Sequence, residues 1–298
     1  MSTWISAHIF HAGDLDALIT RVAGPLVSDL NPEGFFFLRY WEGGPHLRLR
    51  MRVSDPGPAE RELLARARAH LREHPSALAA TQERYAKMAA RLADGERLAG
   101  HDDRLHANDT VEFIAYRPEY HAYGSPECMA AVEEHFTESS RLALRVLAGP
   151  VERGRRAATV LAAVTSTLAA CCADPARLPA DLPPEVDETY HAKRAALRRQ
   201  AGQLWTAAAS QPLDAWSRSV RVLRDALTGA GCAAEDPRSP LGFLAGAAPP
   251  DRRPVADVLL RCTHLLSNRI GLPPAAEQRA GRLAARILSD LYHDGEIT

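Results

Sequence analysis

Between residues 46 and 53 the chain reads HLRLRMRV, so His46, Arg48, Arg50 and Arg52 alternate with Leu47, Leu49, Met51 and Val53. A two-residue period is that of a β-strand with one apolar and one polar face. Arginine is not a preferred strand residue, and guanidinium groups aligned on one face repel unless an anion or carboxylates share the site. Such a face suits holding a carboxylate or polarising a carbonyl oxygen. The plain alternative is the solvated outer face of an amphipathic strand.

Two further stretches carry groups of the same kind. AYRPEYHAYGS, residues 115–125, crowds Tyr116, Glu119, Tyr120, His121 and Tyr123 at the end of a strand-like run. Its tyrosines suit core hydrogen bonds, and Glu119 suits a pairing with one of the strand arginines. RCTHLLSNRIGLPPAAE, residues 261–277, sets His264 and Asn268 four apart, hence on one side of a helix that ends near Gly271. His264 is a candidate general acid or base if it faces the arginine strand, and a structural histidine otherwise.

The elements that must position these groups follow from the pattern. TWISAHIF reads as a strand, and GDLDALITRVAGPLVSDL as a helix capped by Asp14. GFFFLRYW and HLRLRMRV read as two strands joined through EGG, whose glycines supply the positive φ of a tight hairpin. PAERELLARARAHLREH and ALAATQERYAKMAARLA are helical, DGERLAGHDDRLHAND is too polar for a core, and TVEFIAYRPE restores a strand that stops at Pro118. The order β-α-β-β-α-β predicts an α+β, ferredoxin-like antiparallel sheet with helices on one side and the other side free. The arginines would point to the free side.

Beyond it the pattern is helical, over 126–148, 153–173, 187–209, 213–230, 254–270 and 275–292. The expected organisation is one domain over residues 1–298, with a sheet part at 1–125 and a helical part at 126–298. ADPARLPADLPPEV and EDPRSPLGFLAGAAPPDRRP are proline-rich connectors, the second long enough to be mobile or to act as a lid.

Thirty-six basic against thirty-seven acidic residues give a formal charge of −1, which provides no global field for nucleic acid or an anionic membrane. Five cysteines without CxxC or zinc-type spacing fit a reduced, cytoplasmic protein rather than a disulfide framework. No export signal or membrane span is expected. Phosphate-cradling loops, HExxH, GxSxG and metal-type carboxylate arrays are all missing from the sequence, so neither metal nor organic cofactor is expected.

FFFLRYWEGGPHLRLRMR, AYRPEYHAYGSPECMAAVEEHFTESSRLAL and THLLSNRIGLPPAAE, in this order and spacing, resemble the C-terminal elimination domain of lantibiotic dehydratases, also found alone as the thiopeptide-type bacteriocin biosynthesis protein. The resemblance spans nearly the whole chain. It implies a cytoplasmic enzyme that works on a ribosomally made precursor peptide with its leader, alongside other modification enzymes. In the dehydratases the domain removes glutamate from a glutamylated Ser or Thr by β-elimination. Arg48, Arg50 and His264 stand where that resemblance places the working residues.

Eliminating members typically read Glu-x-x-Arg-Tyr-Gly-Gly. This chain has Glu119-Tyr120-His121-Ala122-Tyr123-Gly124-Ser125, so the arginine is Ala122 and the second glycine is Ser125. A second branch of the family, the thiopeptide pyridine synthases, joins two dehydroalanines of an azole-containing peptide in a formal aza-[4+2] cycloaddition, with loss of water and of the leader. That reading takes His264, Tyr116, Arg48 and Arg50 as catalytic, and Arg39, His46, Arg52, Glu119, Tyr123 and Asn268 as substrate contacts. The alternatives are a glutamyl eliminase of a split dehydratase and a non-catalytic leader-binding subunit.

Overall fold

The structure, a computed structural model, describes residues 2–77, 81–96, 104–149, 153–179, 181–206 and 213–297. It divides into two compact units, Met1–Arg117 and Pro118–Thr298.

The first unit opens with β1 (Thr3–Phe10) and α1 (Leu15–Leu18), whose N-cap Asp14 accepts from the amides of Asp16 and Ala17. The expected single helix is present but not uniform. A π-helical turn over Ile19–Ala23 leads from α1 into α2 (Gly24–Leu30), where Pro25 has no N–H to give the ladder. β2 (Gly34–Tyr40) and β3 (His46–Val53) form the expected hairpin, with Gly43 at φ 81° and Gly44 at φ 113°. After α3 (Pro56–Glu73) and α4 (Gln82–Glu96) comes β4 (Thr110–Phe113). Residues 97–103 of the polar segment expected before β4 lie outside the described residues.

The sheet is antiparallel throughout with order β2-β3-β1-β4, the ferredoxin-like arrangement. β4 is shorter than TVEFIAYRPE suggested, although Ile114 N–H still donates to the Ser6 carbonyl. Leu47, Leu49 and Met51 are fully buried, as are Ala7, Ile9 and Phe37 on the neighbouring strands, and α3 packs against β1 and β4. The register of β3 is therefore the one its alternation required.

The second unit is helical. Tyr120–Tyr123 form a single turn, α5, followed by α6 (Pro126–Leu147), whose N-cap Ser125 accepts from the Cys128 amide. α7 (Arg153–Cys171) is the helix on which α8 (Pro184–Trp205), α9 (Asp214–Gly229), α10 (Arg253–Arg269) and α11 (Pro274–His293) all pack. Its small residues allow close approach, and its hydroxyls tie the neighbours: Thr167 to Thr263 of α10 at 2.8 Å and Ser166 to Ser217 of α9 at 2.9 Å.

The second proline-rich connector, expected to be mobile or a lid, is instead folded. It carries 3-10 turns over Gly242–Ala247 and Pro250–Arg252 and buries Leu241, Leu244, Ala245, Ala247 and Ala248, packing on α10. The apolar run LGFLAGAA inside a proline-rich frame is what anchors it. The end of the helix expected at 187–209 lies outside the described residues from 207 on.

Candidate functional site

In an antiparallel pair, directly opposed residues share a face. His46, Arg48, Arg50 and Arg52 therefore lie with Phe10, His8, Ser6 and Trp4 of β1 and with Tyr40, Leu38, Phe36 and Gly34 of β2. Glu112 and Thr110 of β4 join them through His8 and Phe10. The arginines of β3 thus lie between two strands that carry most of the rings of this face.

The face is less open than expected. Arg48 and Arg52 are half-buried, whereas His46 is 1% and Arg50 8% exposed. The reason is aromatic cover: the Arg50 guanidinium carbon lies 4.5 Å from the Tyr116 ring centre and 5.3 Å from that of Phe36. Trp4 meets both rings edge-on, and Arg52 lies over Trp4 at 5.5 Å. Cation–π contact replaces some of the hydration a half-buried guanidinium loses.

Arg48 is fixed by different partners. Its guanidinium sits 3.5 Å from the Tyr40 ring centre, its Nε donates to His46 Nε2 at 3.1 Å, and its Nη2 reaches Glu42 Oε2 at 3.4 Å. His46 Nδ1 lies 2.8 Å from the Gly44 carbonyl, so Nδ1 carries the proton and Nε2 accepts from Arg48. His8 stacks on His46 at 4.9 Å. Burial first, and then Arg48, brings the His8 pKa down to about 2. Burial also brings His46 down to about 4, against the opposing bond to the Gly44 carbonyl. Both rings are neutral at neutral pH, and the positive charge of the face resides on the arginines. Opposite Arg50, the Ser6 hydroxyl is buried with no hydrogen-bond partner among the described residues.

Arg39 belongs to the other side of the sheet, opposite Leu47, and pairs with Asp16 at 2.5 Å. It was expected among the substrate contacts; period two places it away from the arginine face. A cavity of about 550 Å³ in this unit is lined by His11, Asp14, Arg21, His70, Glu73 and His74, none of which belongs to that face.

In the second unit, His264 Nδ1 lies 2.9 Å from Glu277 Oε2, and Asn268 follows one turn later on α10, half-buried. Glu119, expected to pair with a strand arginine, instead meets Arg261 Nη2 at 3.2 Å, while Arg261 Nε donates to the Tyr123 hydroxyl at 3.0 Å. Burial pushes that hydroxyl well above its ordinary pKa, so it stays protonated. Ala122 is fully buried between them in the chain. Among the described residues no group of three or more His, Cys, Asp or Glu could hold a metal ion, and no helix is long and apolar enough to cross a membrane.

Sequence reasoning missed His8, Glu42, Arg261 and Glu277. His8 was legible, since Trp4, Ser6, His8 and Phe10 alternate with apolar residues as β3 does. The other three are brought in by turns and helix packing, which leave no period to read.

A ferredoxin-like sheet whose polar face is a cation–aromatic ladder, followed by a helical unit carrying a carboxylate-bound histidine, defines an α+β class in which several chemistries are possible. Residues 4–288 match the family described as Lantibiotic biosynthesis dehydratase C-term, and the chain belongs to it. No curated protein matches by sequence. Among solved structures, the pyridine synthase TbtD from thiomuracin biosynthesis is similar at 20% identity and a TM-score of 0.73, covering 98% of this chain and 99% of that one. TsrL follows at 20% identity and 0.63, over 98% and 96%. The tRNA-dependent lantibiotic dehydratase MibB from Microbispora sp. 107891 is similar at 18% identity and 0.56, over 98% of this chain but 28% of that one.

Proposed function

We propose that this protein is a thiopeptide macrocyclase that joins two dehydroalanines of a ribosomally made, azole-containing peptide into a six-membered ring, then releases water and the leader. The observation that carries the reading is the likeness to a pyridine synthase over nearly the full length of both chains. Ala122 adds to it. A glutamyl eliminase must hold a glutamate carboxylate, and the arginine that eliminating relatives have there is replaced by a buried methyl group.

The chemistry needs proton movement and charge stabilisation only. One dehydroalanine with its preceding amide must become an iminol diene, which the second alkene then meets. Arg48 and Arg50 polarise the amide oxygen as negative charge grows on it. His264 Nε2 and the Tyr116 hydroxyl give and take the protons of tautomerisation and elimination. His46 and Arg52 flank the peptide along the arginine face, and Asn268 contacts it near His264. Both alkenes lie in one flexible peptide, so holding them in contact supplies much of the rate.

Incubation with a synthetic thiazolyl peptide carrying a leader and two dehydroalanines tests this. A pyridine-centred macrocycle and free leader are expected. Unchanged peptide, together with conversion of a glutamylated serine peptide to dehydroalanine, would establish the eliminase instead. Tight leader binding with neither turnover would establish a recognition subunit.

A further inference from the structure

We infer that Glu277 is a positioning residue for His264: its carboxylate fixes the imidazole tautomer and leaves Nε2 as the atom that exchanges protons with substrate. The inference rests on the reading of His264 as a proton carrier and adds the group through which that role is set.

The pairing follows from a tight helical hairpin. α10 closes with Gly271 at φ 67°, where the Leu272 amide reaches back to the Ser267 carbonyl. Pro273 precedes α11, and Pro274 opens it where a missing N–H costs nothing. Glu277 thereby falls in the first turn of α11, across from His264, the two lying thirteen positions apart in the chain. A carboxylate only accepts, so Nδ1 carries the proton in that bond and Nε2 is left with its lone pair in the neutral ring.

Burial separates the two groups. The Glu277 side chain is 1% exposed and that of His264 26%, so a buried acceptor holds a ring that substrate can reach. The N-terminal turn of α11 offsets part of the cost of burying the carboxylate. Yet Glu277 Oε1 is buried with no hydrogen-bond partner among the described residues. A carboxylate placed only to join two helices would ordinarily have both oxygens satisfied. Among the described residues its one side-chain hydrogen bond goes to the imidazole, so the carboxylate is committed to holding that ring.

The test uses E277Q, H264N and the double variant with the bis-dehydroalanine peptide. E277Q keeps the shape and an acceptor but loses the charge and can present its amide N–H₂ instead. It should lower kcat about tenfold or more, leave KM within about twofold, and move the His264 ring away from the Nδ1–H tautomer in nitrogen NMR. The double variant should be no slower than H264N alone. E277Q with unchanged kcat and an unchanged His264 spectrum would reduce the pair to a strut between α10 and α11. If E277Q does not fold, E277D takes its place in both measurements. Should H264N turn over normally, the reading of His264 fails, while the NMR measurement, which needs no turnover, still decides whether Glu277 sets the ring.

Discussion

Arg48 has its Nε on His46, its Nη2 toward Glu42 and its plane on Tyr40. No lysine can make those contacts together, because an ammonium is a compact charge on a flexible stem without a planar fork. R48K should therefore fold normally and slow turnover about tenfold or more, about 1.4 kcal/mol of lost charge placement, measured as kcat on the dehydroalanine peptide. The tie also has an acid limit. Protonating His46 removes the acceptor for Arg48 Nε, so the bond should break as pH falls through about 4. Loss of the Arg48 Nε–H signal in that range, with His46 taking up its proton, is the measurement.

At the scale of elements, the hairpin that presents β3 depends on Gly43. A Cβ at that position would stand 2.8 Å from His106 Cδ2, at a φ of 81° that side chains rarely adopt. His106 cannot easily yield, being stacked on Phe10 at 4.4 Å and bonded to Glu112 at 3.0 Å. G43A should cost about 1–3 kcal/mol, read as a lower denaturant midpoint with the same slope.

What was legible here was whatever repeats. The period of two gave β3 and the facing of Arg48, Arg50 and His46, the glycine turn gave β2 as its hairpin partner, and the helical period gave α6 and α9 to α11 within a residue or two. Local perturbations were not legible. The π-helical turn at Ile19–Ala23 keeps the helical period nearly intact, and the folded connector looked mobile because its prolines outweighed Leu241 and Leu244. The pairing of Glu119 with Arg261 depends on which helices pack together, and no spacing encodes that.

At the scale of the molecule, both units bury neutral imidazoles. His8 and His46 belong to the first unit and His135 to the second, with pKa values lowered to about 2, about 4 and about 3, burial being the largest cause in each. All three lie below the ordinary histidine value of about 6.5, so between these limits the unfolded chain binds more protons than the folded one. Stability from these groups is present above about pH 6.5 and is lost as pH falls. At pH 5 the loss is at most about 2 kcal/mol for each ring. Denaturation at pH 7 and pH 5 should show a falling midpoint, and H135Q should flatten the pH dependence of the second unit while leaving that of the first.

The aromatic cover of the arginine face has an optical consequence. Trp4 lies under Arg52 and edge-on to Phe36 and Tyr116, while Trp216 is fully buried in the second unit. With Trp41, Trp205 and Trp216 replaced by phenylalanine, Trp4 is the only indole left of the four in the chain. Its emission then reads the surroundings of Arg52 directly. A peptide that draws the guanidinium off the ring would change the colour and lifetime of that light, giving a label-free signal of occupancy before any bond is made.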